Sequence, residues 1–402
     1  MRDPPHALIA GAGIGGLAAA LGMARRGWRV TLLERTALAS EIGAGLQISP
    51  NASAILRQFD VLPRLAATAL APKALHVRRA RDGLTIVLFP LDEAERRWGA
   101  PYLLAHRSDL HKALVEAAMA QQSIHIVPGS VLSGFMAGED GVTLAAEHDA
   151  THASYVGDCL IGADGLHSFV RARLNEGRHD EMPRKARHVA WRALVKSDRV
   201  ALELRQPEST LWLGPGAHVV HYPLRGGRIT NVVAVLHEQA GIDWSADIWA
   251  QPGDPRKIAA RFARWDRRIR DLIAAADEWR IWPLVERAPP PLWSSGRVVL
   301  IGDSAHPILP FLAQGAAQAI EDAAALALCL EPGREVAPAL AEFVAGRRAR
   351  IARVQRQSHR QARVYRLSGA AAALRDLAIK MLGARRIIAG YDWLYGGGPM
   401  TQ

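Results

Sequence analysis

The stretch GAGIGG, from Gly11 to Gly16, constrains this 402-residue chain more than any other. It joins an apolar run, His6 to Ala10, that reads as a short buried strand to a run from Leu17 to Arg26 that reads as a helix. A second apolar run, Trp28 to Glu34, follows at once, so the chain opens with a βαβ unit of a parallel sheet. The spacing puts Gly11 at the tight turn, Gly13 where backbone must approach a pyrophosphate, and Gly16 where helix and strand pack closely. Bare N–H groups at the helix start attract phosphate, and Glu34 ends the second strand where ribose hydroxyls can donate to it. These features predict dinucleotide binding without saying which dinucleotide.

Two further strand ends carry the same shape. IGADG, Ile161 to Gly165, and LIGD, Leu300 to Asp303, each end an apolar run with a glycine and an acid. Alone, Asp164 is explained as well by capping the next helix. Together, Asp164 and Asp303 suggest one extended polyhydroxy ligand lying across the sheet edge. After Asp303 the chain runs GDSAHPILPFLAQGAAQAIEDAAAL. Pro307 and Pro310 stiffen the loop, and Gln314, Gly315 and Ala316 begin a helix with little side chain. A flat ring can rest on those N–H groups, and a helix N-terminus stabilises the anion of a reduced flavin by about 0.3–2 kcal/mol.

Between these ends the texture changes. From 183 to about 282, strand-like runs alternate with Gly and Pro, which predicts an antiparallel sheet, and six of the eleven tryptophans lie between Trp191 and Trp279. The expected organisation is an α/β fold of mixed elements. A Rossmann-like nucleotide-binding domain occupies residues 1–182, with a β-hairpin insertion near 72–100, and resumes at 283–336. An antiparallel substrate domain occupies 183–282, and helices run from 337 to 402. Asn51 reads as a helix N-cap.

Net charge is +11, much of it in RRARIARVQRQSHRQARVYR, Arg347 to Arg366, whose spacing reads as the solvated face of a helix. No zinc-finger spacing or aromatic RNA motif accompanies it, so neither nucleic acid nor metal is expected. Two isolated cysteines and a glycine-broken apolar N-terminus point to a cytoplasmic protein with no membrane span, monomeric or homodimeric.

The chain resembles the single-component FAD-dependent aromatic hydroxylases, in particular the salicylate hydroxylase and 3-hydroxybenzoate 6-hydroxylase branch. The resemblance is carried by GAGIGG with Glu34-Arg35, GAGLQISPNA (Gly43 to Ala52), HRSDL (His106 to Leu110), GADGLHSFVR (Gly162 to Arg171), the Gly302 to Leu326 stretch, and YDWLY near the end. It implies bound FAD, NADH or NADPH as a visiting co-substrate, and O2. It also implies hydroxylation of a small phenolic aromatic acid through a flavin hydroperoxide. Glu34 would hold the adenosine ribose with Arg35 beside it, Arg107 the pyrophosphate side, and Asp303 the ribitol. Asp164 would sit between flavin and nicotinamide functions. The N–H groups of Gly315 and Ala316 would face the flavin pyrimidine, and Pro310 its ring. Ala313 stands where glycine is frequent, which bears on substrate. Alternatives are a hydroxylase of 6-hydroxynicotinate or another heteroaromatic, or an epoxidase on the same scaffold. A flavin-free NAD dehydrogenase and a nucleic-acid-binding protein built on the Arg347–Arg366 face are the readings outside this class.

Such chemistry needs an electron-rich ring. Ionising a phenol of pKa about 10 at pH 7 costs about 4 kcal/mol, and a positioned base recovers part of that. HVVHYP offers His218 and Tyr222 on one face of a strand, with His221 on the other. The resemblance agrees with a His and Tyr at this spacing against the substrate. Gln47 and Gln314 are further polar candidates in the pocket, and His306 one that packs near the cofactor.

Overall fold

The computed structural model describes residues 3–38, 44–148, 151–237 and 251–398. Gly43 of the resembling stretch, and Trp244 and Trp249 of the tryptophan-rich region, lie outside them.

The apolar runs pair as their composition demands. The strands Val298–Leu300, Cys159–Gly162, His6–Ala10, Arg29–Glu34 and Ile124–Pro128 lie side by side and parallel, with Ser294–Ser295 antiparallel at one edge. Both faces are buried, which is why these strands are continuously apolar. Ile9, Leu32 and Ile161 face the helices Ile14–Arg25, Arg107–Met119 and Gly315–Cys329. Leu8, Leu33, Leu160 and Leu300 face Val142, Leu144 and Ala146 of a three-stranded antiparallel sheet. Register aligns the C-terminal ends: Ala10 is opposite Gly162, and Gly162 opposite Leu300. Gly11, Asp164 and Asp303 therefore emerge along one edge.

The small residues of the Gly315–Cys329 helix have a packing role as well as leaving its start bare. It lies directly against the Ile14–Arg25 helix. A Cβ added at Gly22 would stand 3.1 Å from Ala327 Cβ and 3.2 Å from Ala323 O. Larger side chains at this crossing would force the helices apart.

The second sheet has eight strands, in the order Gln251–Gly253, Trp279–Glu286, Arg184–Lys196, Ile229–His237, Ala217–Leu224, Glu208–Gly214, Ala74–Arg79, Thr85–Pro90. The hairpin 74–90 joins it through a parallel pairing, Ala74–Arg79 with Glu208–Gly214. One face carries Trp191, Trp212 and Trp279 against the helices Pro255–Arg261 and Arg267–Ala274. The other, with Ala190, Val233, Val235, His218 and Val220, faces the Pro310–Leu312 turn and the long helix Val336–Tyr365.

Two sequence expectations need correction. Ser49, with Pro50 behind it, occupies the N-cap position of the Pro50–Gln58 helix, and Asn51 lies inside it. The arginine-rich helix is not solvated throughout: Arg347 and Arg350 are fully buried. Arg347 donates to Asp322 at 2.7 Å and Glu321 at 2.8 Å, and Arg350 to Glu321 at 2.6 Å. Periodicity places arginines on a face but does not say what lies opposite. Two acids in an otherwise uncharged helix, Glu321-Asp322, were the signal that cations must meet them. Burial alone would raise the Asp322 carboxyl, but His306 and Arg347 hold it down at about 2. Its contribution to stability is complete above the unfolded carboxyl range near pH 4 and is lost as pH falls toward 2.

Replacing Arg347→Met leaves two buried carboxylates short of a partner. The expected loss is about 3–5 kcal/mol in urea unfolding at neutral pH, shrinking as the pH falls below about 4.

Candidate active site at the sheet edge and cavity

The three glycines of the first turn have three different geometries. Gly11 lies in the left-handed region at φ +98, and a Cβ there would stand 2.7 Å from Ala163 O. A Cβ at Gly16 would stand 1.9 Å from Gly11 O, so the helix can start here only without one. Gly13 has nothing within 4 Å of its Cβ position, and no side chain caps the helix it begins. His111, which sequence reasoning missed, steadies this turn through a 2.8 Å contact from Nε2 to Ala12 O. Glu34 accepts from Ala12 N at 2.8 Å and from Thr36 N at 2.9 Å, with Arg35 exposed beside it.

Asp164 and Asp303 differ in environment. Asp164 accepts from Val170 N and Ser168 Oγ, so both its oxygens hold its own loop, the capping role weighed from sequence. Burial pushes its carboxyl up against those bonds. Asp303 has no protein hydrogen bond among the described residues, and it is exposed. Desolvation by the surrounding protein raises its carboxyl, with His306 and Arg107 pulling the other way. Arg107 begins its helix behind His106, whose side chain accepts from Ser108 N, and its own N–H donates to Ala44 O at 2.9 Å. His306 is buried, 2.6 Å from Asp322, where it ties the loop to the helix.

Further along, Pro310–Leu312 forms a single turn and Ala313 takes φ +54, ψ +37, the left-handed conformation that explains why glycine suits this position. The Gly315–Cys329 helix then starts with no side-chain cap, half-buried Gly315 and Ala316 at its tip, and open space at Gly315. Gln314 does not reach the pocket. It is fully buried, donating to Ser49 Oγ at 2.9 Å and accepting from Asn51 and Gln318, because this helix end must satisfy polar groups beneath it.

Beside this turn is a cavity of about 640 Å³. Gln47 and Tyr102 share a 2.6 Å hydrogen bond on its wall, and Leu211, Leu213 and Val220 line its apolar side. Arg353 and Arg360 of the long helix line it as well, Arg353 lying 3.9 Å over the Trp393 ring. His218 borders the cavity, buried against Phe311 and Tyr365 with ring centroids 5.7 and 5.0 Å away. Burial, and then His188, lower its pKa to about 3.

Tyr222 shares the face of His218 but is not on the cavity wall. It packs in a core cluster with Tyr102, Leu104 and Leu224, over Gly45. Four residues of strand span about 13 Å, so the two ends of HVVHY stand at separate points along that face. Burial pushes the Tyr222 phenol up. His221 points the other way, toward Trp212, as alternation requires.

The features at the edge fit an FAD: open backbone at Gly13, an unpartnered carboxylate at Asp303, and an uncapped helix start at Gly315. The model of an FAD binding domain family matches residues 5–358. The chain belongs to this family. It is an FAD-dependent oxidoreductase. It is 37% identical to 3-hydroxybenzoate 6-hydroxylase 1 of Aquipseudomonas alcaligenes over 97% of both chains. It is 35% identical to 6-hydroxynicotinate 3-monooxygenase of Bordetella bronchiseptica, over 89% of this chain and 92% of that one. Among solved structures, a salicylate hydroxylase substrate complex has the same fold at TM-score 0.84 and 23% identity, covering 99% of this chain and 97% of its own. No helix among the described residues is long and apolar enough to cross a membrane.

Gly13→Val separates cofactor binding from folding. Its Cβ meets no protein atom and its φ is −70, so unfolding of the cofactor-free protein is expected to change by under about 1 kcal/mol. FAD retention, read from visible absorbance after gel filtration, is expected to be lost.

Proposed function

We propose that this chain hydroxylates a small phenolic aromatic acid of the salicylate or 3-hydroxybenzoate type, with NADH or NADPH as reductant. Per turnover, one atom of O2 enters the ring and the other leaves as water, while NAD(P)H gives two electrons. Bound FAD supplies the relay of those electrons to O2. Glu34, the Gly11–Gly16 turn, Arg107, Asp303 and the Gly315–Ala316 N–H groups are the residues that would hold it. The observation that carries the reading is His218, an imidazole on the wall of a cavity of mixed polar and apolar lining beside the Pro310 turn. There it takes the phenol proton and leaves the ring a better nucleophile. Relatives named for hydroxybenzoates and for 6-hydroxynicotinate support a hydroxylated aromatic acid. The Gln47–Tyr102 pair is a polar contact that also suits a ring nitrogen, so 6-hydroxynicotinate belongs beside the benzoates in a substrate panel.

His218→Ala is expected to lower kcat by about 10²–10⁴-fold with FAD still bound, and to recover as pH approaches 10, where the phenol ionises unaided. Product and peroxide are measured together with NAD(P)H oxidation; hydroxylation at the wild-type rate at pH 7 removes the base assignment.

The anion's partners are Arg353 and Arg360. Arg353→Met and Arg360→Met are each expected to raise KM by about 10–100-fold with little change in kcat, the pattern of an interaction made equally in ground and transition states. Unchanged KM in both places the carboxylate elsewhere.

A further inference from the structure

His218 borders two spaces. One is the 640 Å³ cavity. The other is a recess with room for about one water molecule, walled by His188, His218, His237, Phe311, Tyr365 and Arg366. The three imidazoles come from adjacent strands. His188 is opposite His237, and His218 is opposite Val235, so alternation puts all three on the same sheet face. The His188 and His237 ring centroids are 4.9 Å apart, and His188 lies 5.2 Å from Phe311. Nδ1 of His188 and Nδ1 of His237 are both buried with no hydrogen-bond partner among the described residues. Two orphaned nitrogens beside a recess of this size call for a bridging water. Both side chains are only half-buried, so the far side of the recess leads to the surface.

We propose that His218, one ordered water in this recess, and His188 with His237 form a proton exit route from the aromatic-binding cavity to solvent. This rests on His218 being the group that accepts the phenol proton. An imidazole so enclosed holds a positive charge poorly, so a proton taken up must leave as it arrives. One ring nitrogen forms a bond to the phenol proton while the other releases its own proton to the water. The water passes one proton to His188 or His237, which releases one outward. Each relay member ends with its original proton count, the phenolate stays behind, and one proton reaches bulk solvent. His188 is lowered to about 4 by burial, then by His237 and Arg366, so no imidazolium is trapped there, and Tyr365 is held neutral by burial.

The test uses the FAD-loaded enzyme mixed rapidly with salicylate or 3-hydroxybenzoate in weakly buffered solution containing a pH-indicator dye. The wild type is expected to release a proton as the ligand ionises. His188→Ala and His237→Ala are expected to retain FAD and bind the ligand but release the proton about tenfold or more slowly, with added imidazole restoring the rate. Release at the wild-type rate in both variants overturns the route. His218→Ala keeps the two assignments apart: if it is slow while both recess variants are normal, the base stands and the route falls. If His218→Ala itself releases protons and turns over normally, the base assignment fails, and the route with it. A crystal structure of the holoenzyme provides a reading that needs no substrate. A water within hydrogen-bond distance of both Nδ1 atoms is expected, and a dry recess overturns the proposal.

Discussion

The buried ion network between Glu321-Asp322 and Arg347 and Arg350 fixes the frame on which the cofactor edge is built. Asp322 accepts from Arg347, from the backbone N–H of Gly302 at 2.8 Å and from His306, so one carboxylate joins three segments. Gly302 precedes Asp303, and Asp322 lies two turns inside the helix that Gly315 begins. The Asp303 carboxylate and the uncapped helix start are therefore tied to the same anchor. A buried ion cluster of this kind adds little to stability compared with an apolar core of the same volume, yet removing one member is costly. Its value here is positional, because each charge is satisfied in a single arrangement. Asn51, at 2.6 Å from Glu321, extends the same frame to the Pro50–Gln58 helix.

The long helix that supplies the arginines also fixes the loop they stand behind. Gln355 donates to Pro307 O at 3.2 Å and Ser358 to Leu309 O at 2.7 Å. Arg353 and Arg360, on the same helix, face the cavity. One element therefore holds the proline turn, neutralises the buried acids and presents cations to a ligand. Proline makes the loop stiff, and the helix makes it stationary.

What the sequence disclosed tracks how far backbone geometry dictates residue type. Gly11 and Gly16 are legible because any side chain there collides with backbone, so the pattern admits one local structure. The parallel strands are legible because burial on both faces leaves only apolar residues. Asn51 and Arg347 were misread for a common reason: each is polar, and its local spacing fits exposure or a cap. Their partners come from helices roughly 25 to more than 250 positions away, and no local pattern carries that information. Tyr222 shows a related limit. Alternation fixed its face correctly, but the extent of the cavity along that face is set by Tyr102, Leu104 and Leu224 packing over it.

Ala313 marks where the two halves of the site meet. A residue with a Cβ in the left-handed region costs about 1–2 kcal/mol, and it persists only where its surroundings determine it. On one side the turn Pro310–Leu312 packs Phe311 against His188, His218 and Tyr365 of the antiparallel sheet and long helix. On the other, Gln314 anchors the Gly315–Cys329 helix to Ser49 and Asn51. With both sides fixed, the single linking residue must turn the chain sharply, and the left-handed conformation does so in one step. The reversal leaves the helix start uncapped and Pro310 on the cavity. The strain at Ala313 is thus the cost of joining a rigid cofactor edge to a separately packed substrate sheet.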